Sequence, residues 1–328
     1  MESFRRSQAS FFYTGKTYLR SRMALKQSIS AVLLALATFP VSGCLFRTRA
    51  VPQSYDSRAL KTATKADLVG YINRQAGQIK TMQATVDIDT SVGGIKKGKI
   101  TEYTEIRGYV LARKPAMLRM EGLLPIVRTR AFDMVSDGQN FSVWIPPKNR
   151  FVIGRNDTIT PNPQQPLENL RPQVIYDALL LREVDPQTEI AVVEDGKETI
   201  TGDKGHKFEQ PAYEIDVIRG QGADSWLSRK IVFNRQTLLP VRQLIYDQSG
   251  KLVTEALYSD YKDYDAVMFP SRIEIKRPEE EYDITLNVVK LDMNKPLNDS
   301  TFVLEQPAGV QVIHLDHTTP PTDGGGSR

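Results

Sequence analysis

Hydrophobic and polar residues alternate with a period of two through much of this 328-residue chain. Val86 and Ile88 alternate with Asp87 and Asp89, Leu118 and Met120 with Arg119 and Glu121, and Phe132 and Met134 flank Asp133. Phe141, Val143 and Ile145 share a face until Pro146-Pro147 stops the run. The later half repeats the pattern at Tyr213, Ile215 and Val217, at Leu227, Ile231 and Phe233, at Val241 and Ile245, and over residues 252–258. It continues at Ile273 and Ile275 and then at Tyr282, Ile284, Leu286 and Val288. Each segment reads as a half-buried strand, about ten in all. The turn signals between them, Asp137-Gly138, Asn234 to Thr237 and Asp247 to Gly250, are short. Consecutive strands therefore pair as an antiparallel meander rather than through crossovers.

Two segments carry a helical period instead. Thr64-Lys65-Ala66-Asp67 has capping-box spacing, and Leu68, Ile72, Ile79 and Met82 follow at roughly helical intervals, predicting an amphipathic helix to about Met82. After the proline-rich stretch from Pro161 to Pro166, the segment from Arg171 to Leu180 predicts a short helix with Pro172 in its first turn. Two helices cannot cover both faces of a sheet this large, and a long antiparallel sheet curls. The expected fold class is mainly β (α+β): an incomplete antiparallel β-barrel of about ten strands with helices on the concave side. Its apolar interior is either a filled core or a ligand cavity, and periodicity does not separate the two.

A different hydrophobic pattern opens the chain. Arg20, Arg22 and Lys26 precede the apolar run from Ile29 to Phe39, and Val41-Ser42-Gly43-Cys44 follows. These are the regions of a secretory leader, with the chain's single cysteine where a bacterial lipoprotein is cut and acylated with fatty chains such as palmitate. The run is about half the length that a membrane span needs. Residues 1–43 are thus expected as signal peptide, 44–62 as a lipid-anchored tether, 63–315 as the half-barrel and 316–328 as a disordered tail. Met23 opens a leader of its own, which leaves the start of the natural chain open between Met1 and Met23. Removing 1–43, with six basic residues against Glu2, takes the formal charge from +4 to −1. The basicity belongs to the leader, so no nucleic-acid partner is expected. With no cysteine beyond Cys44, stability must come from packing and sheet hydrogen bonds.

Four places in the mature chain resemble the LolA/LolB family of periplasmic lipoprotein carriers. They are the helix before the first strand; the basic-Pro strand entry from Arg113 to Met120; the Ser136-Asp137-Gly138 hairpin with its aromatic strand to Pro146; and the closing segment from Phe302 to Val312. The resemblance implies an incomplete barrel with helices as a lid, and a cavity that takes the acyl chains of a lipoprotein or phospholipid without covalent chemistry. It also implies a soluble periplasmic carrier as a delivering partner. Acylation at Cys44 makes the topology similar to that of LolB, the anchored member that receives lipoproteins. Leu45 stands where Asp would mark inner-membrane retention, so the implied placement is the outer membrane, facing the periplasm.

Gly122-Leu123-Leu124-Pro125-Ile126-Val127 resembles the protruding leucine-bearing loop of LolB, which makes Leu123, Leu124 and Ile126 candidates for touching membrane or cargo. Read from the residues alone, Leu123 and Ile126 are equally strand-end core. Soluble LolA has an arginine before the proline that helps hold the lid. Here Lys114 stands there, without the planar fork, so no lid latch is carried over.

The candidate lipid-binding residues are those of the alternating face: Leu118, Met120, Phe132, Met134, Phe141, Val143, Ile145, Ile215, Val217, Ile231, Phe233, Ile273 and Ile275. Enzymatic signals are weak. The chain has no Gly-x-Ser-x-Gly elbow and no phosphate-cradling glycine loop. Of its three histidines, His314 and His317 border the tail, where an ordered metal shell is not expected. Glu279-Glu280-Glu281 reads as a solvated turn, and Tyr258, Tyr261 and Tyr264 as a packed strand end. The expectation is a monomeric, non-enzymatic lipid or lipoprotein carrier without cofactor or metal. The alternative on the same fold is a sensor or scaffold that recognises a partner protein. An open apolar cavity continuous with the 122–127 loop favours the first, and a filled barrel the second.

Overall fold

The structure, a computed structural model, describes residues 53–54, 59–96, 98–157, 171–201, 205, 207–220 and 222–315. The leader, Cys44, most of the tether, Pro161 to Pro166, His206, His317 and the tail lie outside the described residues.

Thr64 caps helix α1 (Lys65–Gln78) with the expected reciprocal box: Asp67 N–H donates to Thr64 Oγ1 at 3.2 Å, and Thr64 N–H donates to Asp67 Oδ2 at 2.8 Å. The helix buries Leu68, Ile72 and Ala76 and stops at Gln78, short of Met82. Met82 instead begins the alternating buried row Met82, Ala84, Val86, Ile88 of strand β2 (Thr81–Gly94), a spacing that coincides with the helical one for a single step. Helix α2 (Pro172–Leu179) has Pro172 in its first turn as expected and buries Ile175, Tyr176, Ala178 and Leu179.

In chain order, β1 (Gln53–Ser54) precedes α1, and β3 (Lys99–Glu102), β4 (Ile106–Arg113), β5 (Met117–Leu123), β6 (Arg130–Ser136), β7 (Asn140–Ile145) and β8 (Arg150–Arg155) follow β2. Beyond α2 come β9 (Glu189–Thr201), β10 (Lys207–Arg219), β11 (Trp226–Asn234), β12 (Pro240–Tyr246), β13 (Leu252–Tyr264), β14 (Val267–Arg277), β15 (Tyr282–Met293) and β16 (Gln311–His314). The described residues thus form one 16-stranded sheet, not ten strands. All ten segments read from the alternation are strands, and β1, β3, β4, β8, β9 and β16 are additional.

The meander expectation holds within two runs, β10 to β15 and β4 to β8. β2 joins them by pairing with β15 on one side and β4 on the other. β1 pairs with β10 and β16 with β8 in parallel; the other pairings are antiparallel. Among the described residues β9 pairs only with β10, and β16 only with β8, so the sheet curls without closing. The protein is a mainly β, incomplete barrel.

Register lines carry the core across the strands. One runs Ile215, Ile231, Gln243, Ala256, Ile275, Ile284, Thr90. Another runs Val110, Met120, Met134, Val143, Val152. α1 covers one stretch of this face, where Leu68 and Ile72 pack with Ile215, Val217, Ile231 and Phe233. α2 covers the other, where Ile175, Tyr176 and Leu179 pack with Leu118, Met120, Met134, Ile273 and Ile275.

Both helices are tied to the Lys114-Pro115 turn. Lys114 Nζ donates to the carbonyl of Ala76 in the last turn of α1, where unpaired carbonyls favour a cation. Tyr176 Oη of α2 donates to the Pro115 carbonyl at 2.6 Å. Lys114 therefore does fasten a helix, by a single bond rather than by an arginine fork. Burial lowers its pKa from the ordinary lysine range.

Candidate acyl-binding cavity

Toward the ends of β2, β5 and β7 and the starts of β4, β6 and β15 lies a cavity of about 400 Å³. A pair of glycines shapes it. Gly108 and Gly122 are cross-strand neighbours, and a Cβ on either would collide with side chains lying over them. Ile88 crosses Gly108, and Phe132 and Ile106 cross Gly122. These three side chains form part of the wall, with Met120, Met134, Val143, Ile145 and Ile284 from the sheet and Ile175 from α2. Leu124 and Pro125 form the rim on one side, Tyr103 and Thr104 on another, and Pro147 and Lys148 on a third. The wall is apolar, polar groups sit at the rim, and two methionines give the lining adaptable surface.

Five of the thirteen candidate residues meet at this cavity: Met120, Phe132, Met134, Val143 and Ile145. Leu118, Phe141, Ile273 and Ile275 belong to the same core but do not line it, and Ile215, Val217, Ile231 and Phe233 pack beneath α1. Ile88, Ile106, Ile175 and Ile284 line the cavity without having been singled out for it. Ile88 and Ile284 lie in strands read from the sequence; Ile106 opens a strand whose alternation is blurred, because Gly108 and Ala112 are small on the inner face and Tyr109 and Leu111 are apolar on the other.

The leucine-bearing loop divides into two parts. Leu123 is the half-buried last residue of β5, and Leu124 is half-buried at the cavity rim. Ile126 and Val127 project instead, at 99% and 65% exposure. Ile126 has φ of 67°, a left-handed conformation that is costly for a β-branched side chain. The β2–β3 hairpin reaches the same end of the sheet and carries Ile95 and Ile100, 100% and 66% exposed.

Other candidates are structural. Tyr258 Oη donates to Ala178 O at 2.9 Å and Tyr261 Oη to Pro240 O at 2.7 Å, holding β13 to its neighbours. The triple-glutamate turn is tied by ion pairs: Glu279 with Lys96 at 3.1 Å and Lys251 at 2.7 Å, and Glu280 with Arg277. His314 lies in β16.

A curled, open antiparallel sheet with two helices on its inner face and an apolar cavity is the architecture that the LolA/LolB resemblance led one to expect. The chain matches a family described as an uncharacterized protein over residues 188–306, less than half its length. No curated protein matches. Among solved structures it is similar to a DUF1329 family protein from Desulfovibrio piger, at 15% identity and TM-score 0.45, over 72% of this chain and 95% of that one. It is also similar to a LolA superfamily protein from Nitrosomonas europaea, at 15% and 0.41, over 72% and 97%. A third is an outer membrane lipoprotein-sorting protein domain from Vibrio parahaemolyticus, at 12% and 0.43, over 72% and 94%. The geometry of this chain's own residues, and not these likenesses, carries the function proposed below.

Proposed function

We propose that this chain is an outer-membrane lipoprotein, anchored through Cys44 and facing the periplasm, that binds the acyl chains of lipoproteins or phospholipids as an acceptor or carrier. The observation that carries the reading is the apolar cavity of about 400 Å³ whose rim, Leu124-Pro125, runs directly into the exposed Ile126-Val127. A chain leaving or entering the cavity passes the residues best suited to touch a membrane. Burying about ten methylenes at about 0.8 kcal/mol each yields roughly 8 kcal/mol, the free energy of a micromolar complex before ordering costs. That is tight enough to hold a lipid and weak enough to release it. The proposed role needs no covalent step and no cofactor.

Native mass spectrometry of the purified chain tests this. The expected result is co-purified acyl-lipid that exchanges when lipoprotein is added. A clean apo mass that excess lipid leaves unchanged would overturn the proposal in favour of a scaffold that recognises protein.

A further inference from the structure

A second cavity, of about 380 Å³, opens over the ends of β10 and β12 and the start of β11, and shares no lining residue with the apolar one. Helix α2 contributes to both: Ile175 to the apolar cavity, Asp177 to this one. The chemistry here is different. Arg182, Arg219 and Arg229 converge on Glu189, whose side chain is 1% exposed, at 2.8, 2.9 and 3.2 Å. Three guanidiniums therefore share the Glu189 carboxylate.

Arg229 is the structural member. Its Nη1 and Nη2 donate to the carbonyls of Arg182 and Glu183 at 2.6 and 2.7 Å, and its side chain is 4% exposed. Arg182 and Arg219 each donate through Nη2 to Glu189, stay 48% and 38% exposed, and line the cavity. Two deeply buried polar atoms of the lining have no partner among the described residues, Arg229 Nε and Gln243 Oε1. Gln243 is 2% exposed and stands in the register line between Ile231 and Ala256, held by its Nε2 on the Asp177 carbonyl at 3.1 Å. Asp177 and Asp247 are the acids on the lining, and Asp247 already accepts from its own turn at Ser249 and Lys251. Trp226 and Tyr246 supply flat surface beside the arginines.

We propose that this cavity binds a small phosphate- or carboxylate-bearing molecule with at least one hydroxyl group. Arg182 and Arg219 hold the oxyanion and Gln243 Oε1 accepts from the hydroxyl. The cavity is larger than a bare oxyanion needs, and arginine forks suit planar or tetrahedral oxyanions. A phosphorylated polyol has both parts, and it exists free or as the headgroup of an anionic lipid.

The test is calorimetric titration of the full chain, held in nanodiscs of phosphatidylcholine, with glycerol 3-phosphate. Saturable binding is expected, weaker by about tenfold or more in Arg182→Gln with Arg219→Gln, and tighter in Asp177→Asn, which removes one of the two acids of the lining. Absence of saturable binding in the native chain overturns the proposal, as does equal affinity in a folded double variant. Should the double variant fail to fold, Asp177→Asn decides: tighter binding supports the site, and unchanged or weaker binding overturns it. Nanodiscs doped with phosphatidylglycerol separate the two sources. Competition with glycerol 3-phosphate assigns the site to the lipid headgroup, and its absence assigns it to the soluble molecule.

Discussion

Two acids set the chemistry of the arginine-lined region, the half-buried Asp177 and the buried Glu189. Burial pushes the Asp177 carboxyl up from 3.8 to about 6, although Gln173, Arg182 and Arg229 pull the other way. A carboxyl that holds its proton more firmly in the folded state stabilises the fold at low pH, and that contribution fades as pH rises from about 4 through 6. Asp177→Asn is therefore expected to raise stability at pH 7.5 and to leave it unchanged near pH 4, read as urea midpoints at the two pH values. Glu189 is satisfied as an anion by three arginines. Glu189→Gln leaves that cluster without its counter-charge and is expected to cost about 3 kcal/mol at pH 7, measured by the same unfolding curves. Neither residue was legible as part of a site in the sequence, because the partners come from α2, the segment after it, and three strands distant in the chain.

At the scale of elements, the loop from Leu124 to Thr129 combines strain with exposure. Ile126 sits at positive φ with its side chain in solvent, a placement that burial cannot explain. Ile126→Gly is expected to raise stability by about 1 kcal/mol while lowering partition onto phospholipid vesicles, measured by flotation. Ile126→Glu with Val127→Glu should leave the unfolding midpoint unchanged and abolish partition. Loss of folding in that double variant would show that these side chains serve the core. The motif that pointed to this loop was readable, but its leucines were not the projecting residues: the strand β5 runs one residue further than its alternation suggests and draws Leu123 into pairing with Arg107. The same limit hid whole elements. β4 buries the small Gly108 and Ala112 beside Val110 and carries apolar Tyr109 and Leu111 on its other face, which blurs its alternation, and the edge strand β9 carries Glu194, Asp195, Lys197 and Glu198 because one of its sides meets solvent. Conversely, α1 was legible to its cap, since Thr64 and Asp67 need only each other.

For the whole molecule, the open sheet matters because it lets opposite requirements coexist. Under α1 the inner face is a filled core, with Ile215, Ile231 and Phe233 fully buried. Beside α2 the same face is hollow, because Gly108 and Gly122 let side chains lie flat against the sheet where larger residues would push them into the space. The alternation of the strands is identical in both places, so it could not tell core from cavity; the glycine pair does. Filling the hollow without disturbing the core separates binding from stability. Ala131 is half-buried at the entry of β6 and lines the cavity. Ala131→Trp places a ring in the space meant for acyl chain and is expected to remove co-purified lipid and lower affinity for a fluorescent fatty acid at least tenfold, about 1.4 kcal/mol, with an unfolding midpoint within about 0.5 kcal/mol of the native chain. Gly122→Val attacks the same hollow from its floor, displacing Phe132 and Ile106, and is expected to lose both lipid and stability. If Ala131→Trp binds the fatty acid as tightly as the native chain, the acyl chain lies elsewhere and the hollow beside α2 is only a packing defect.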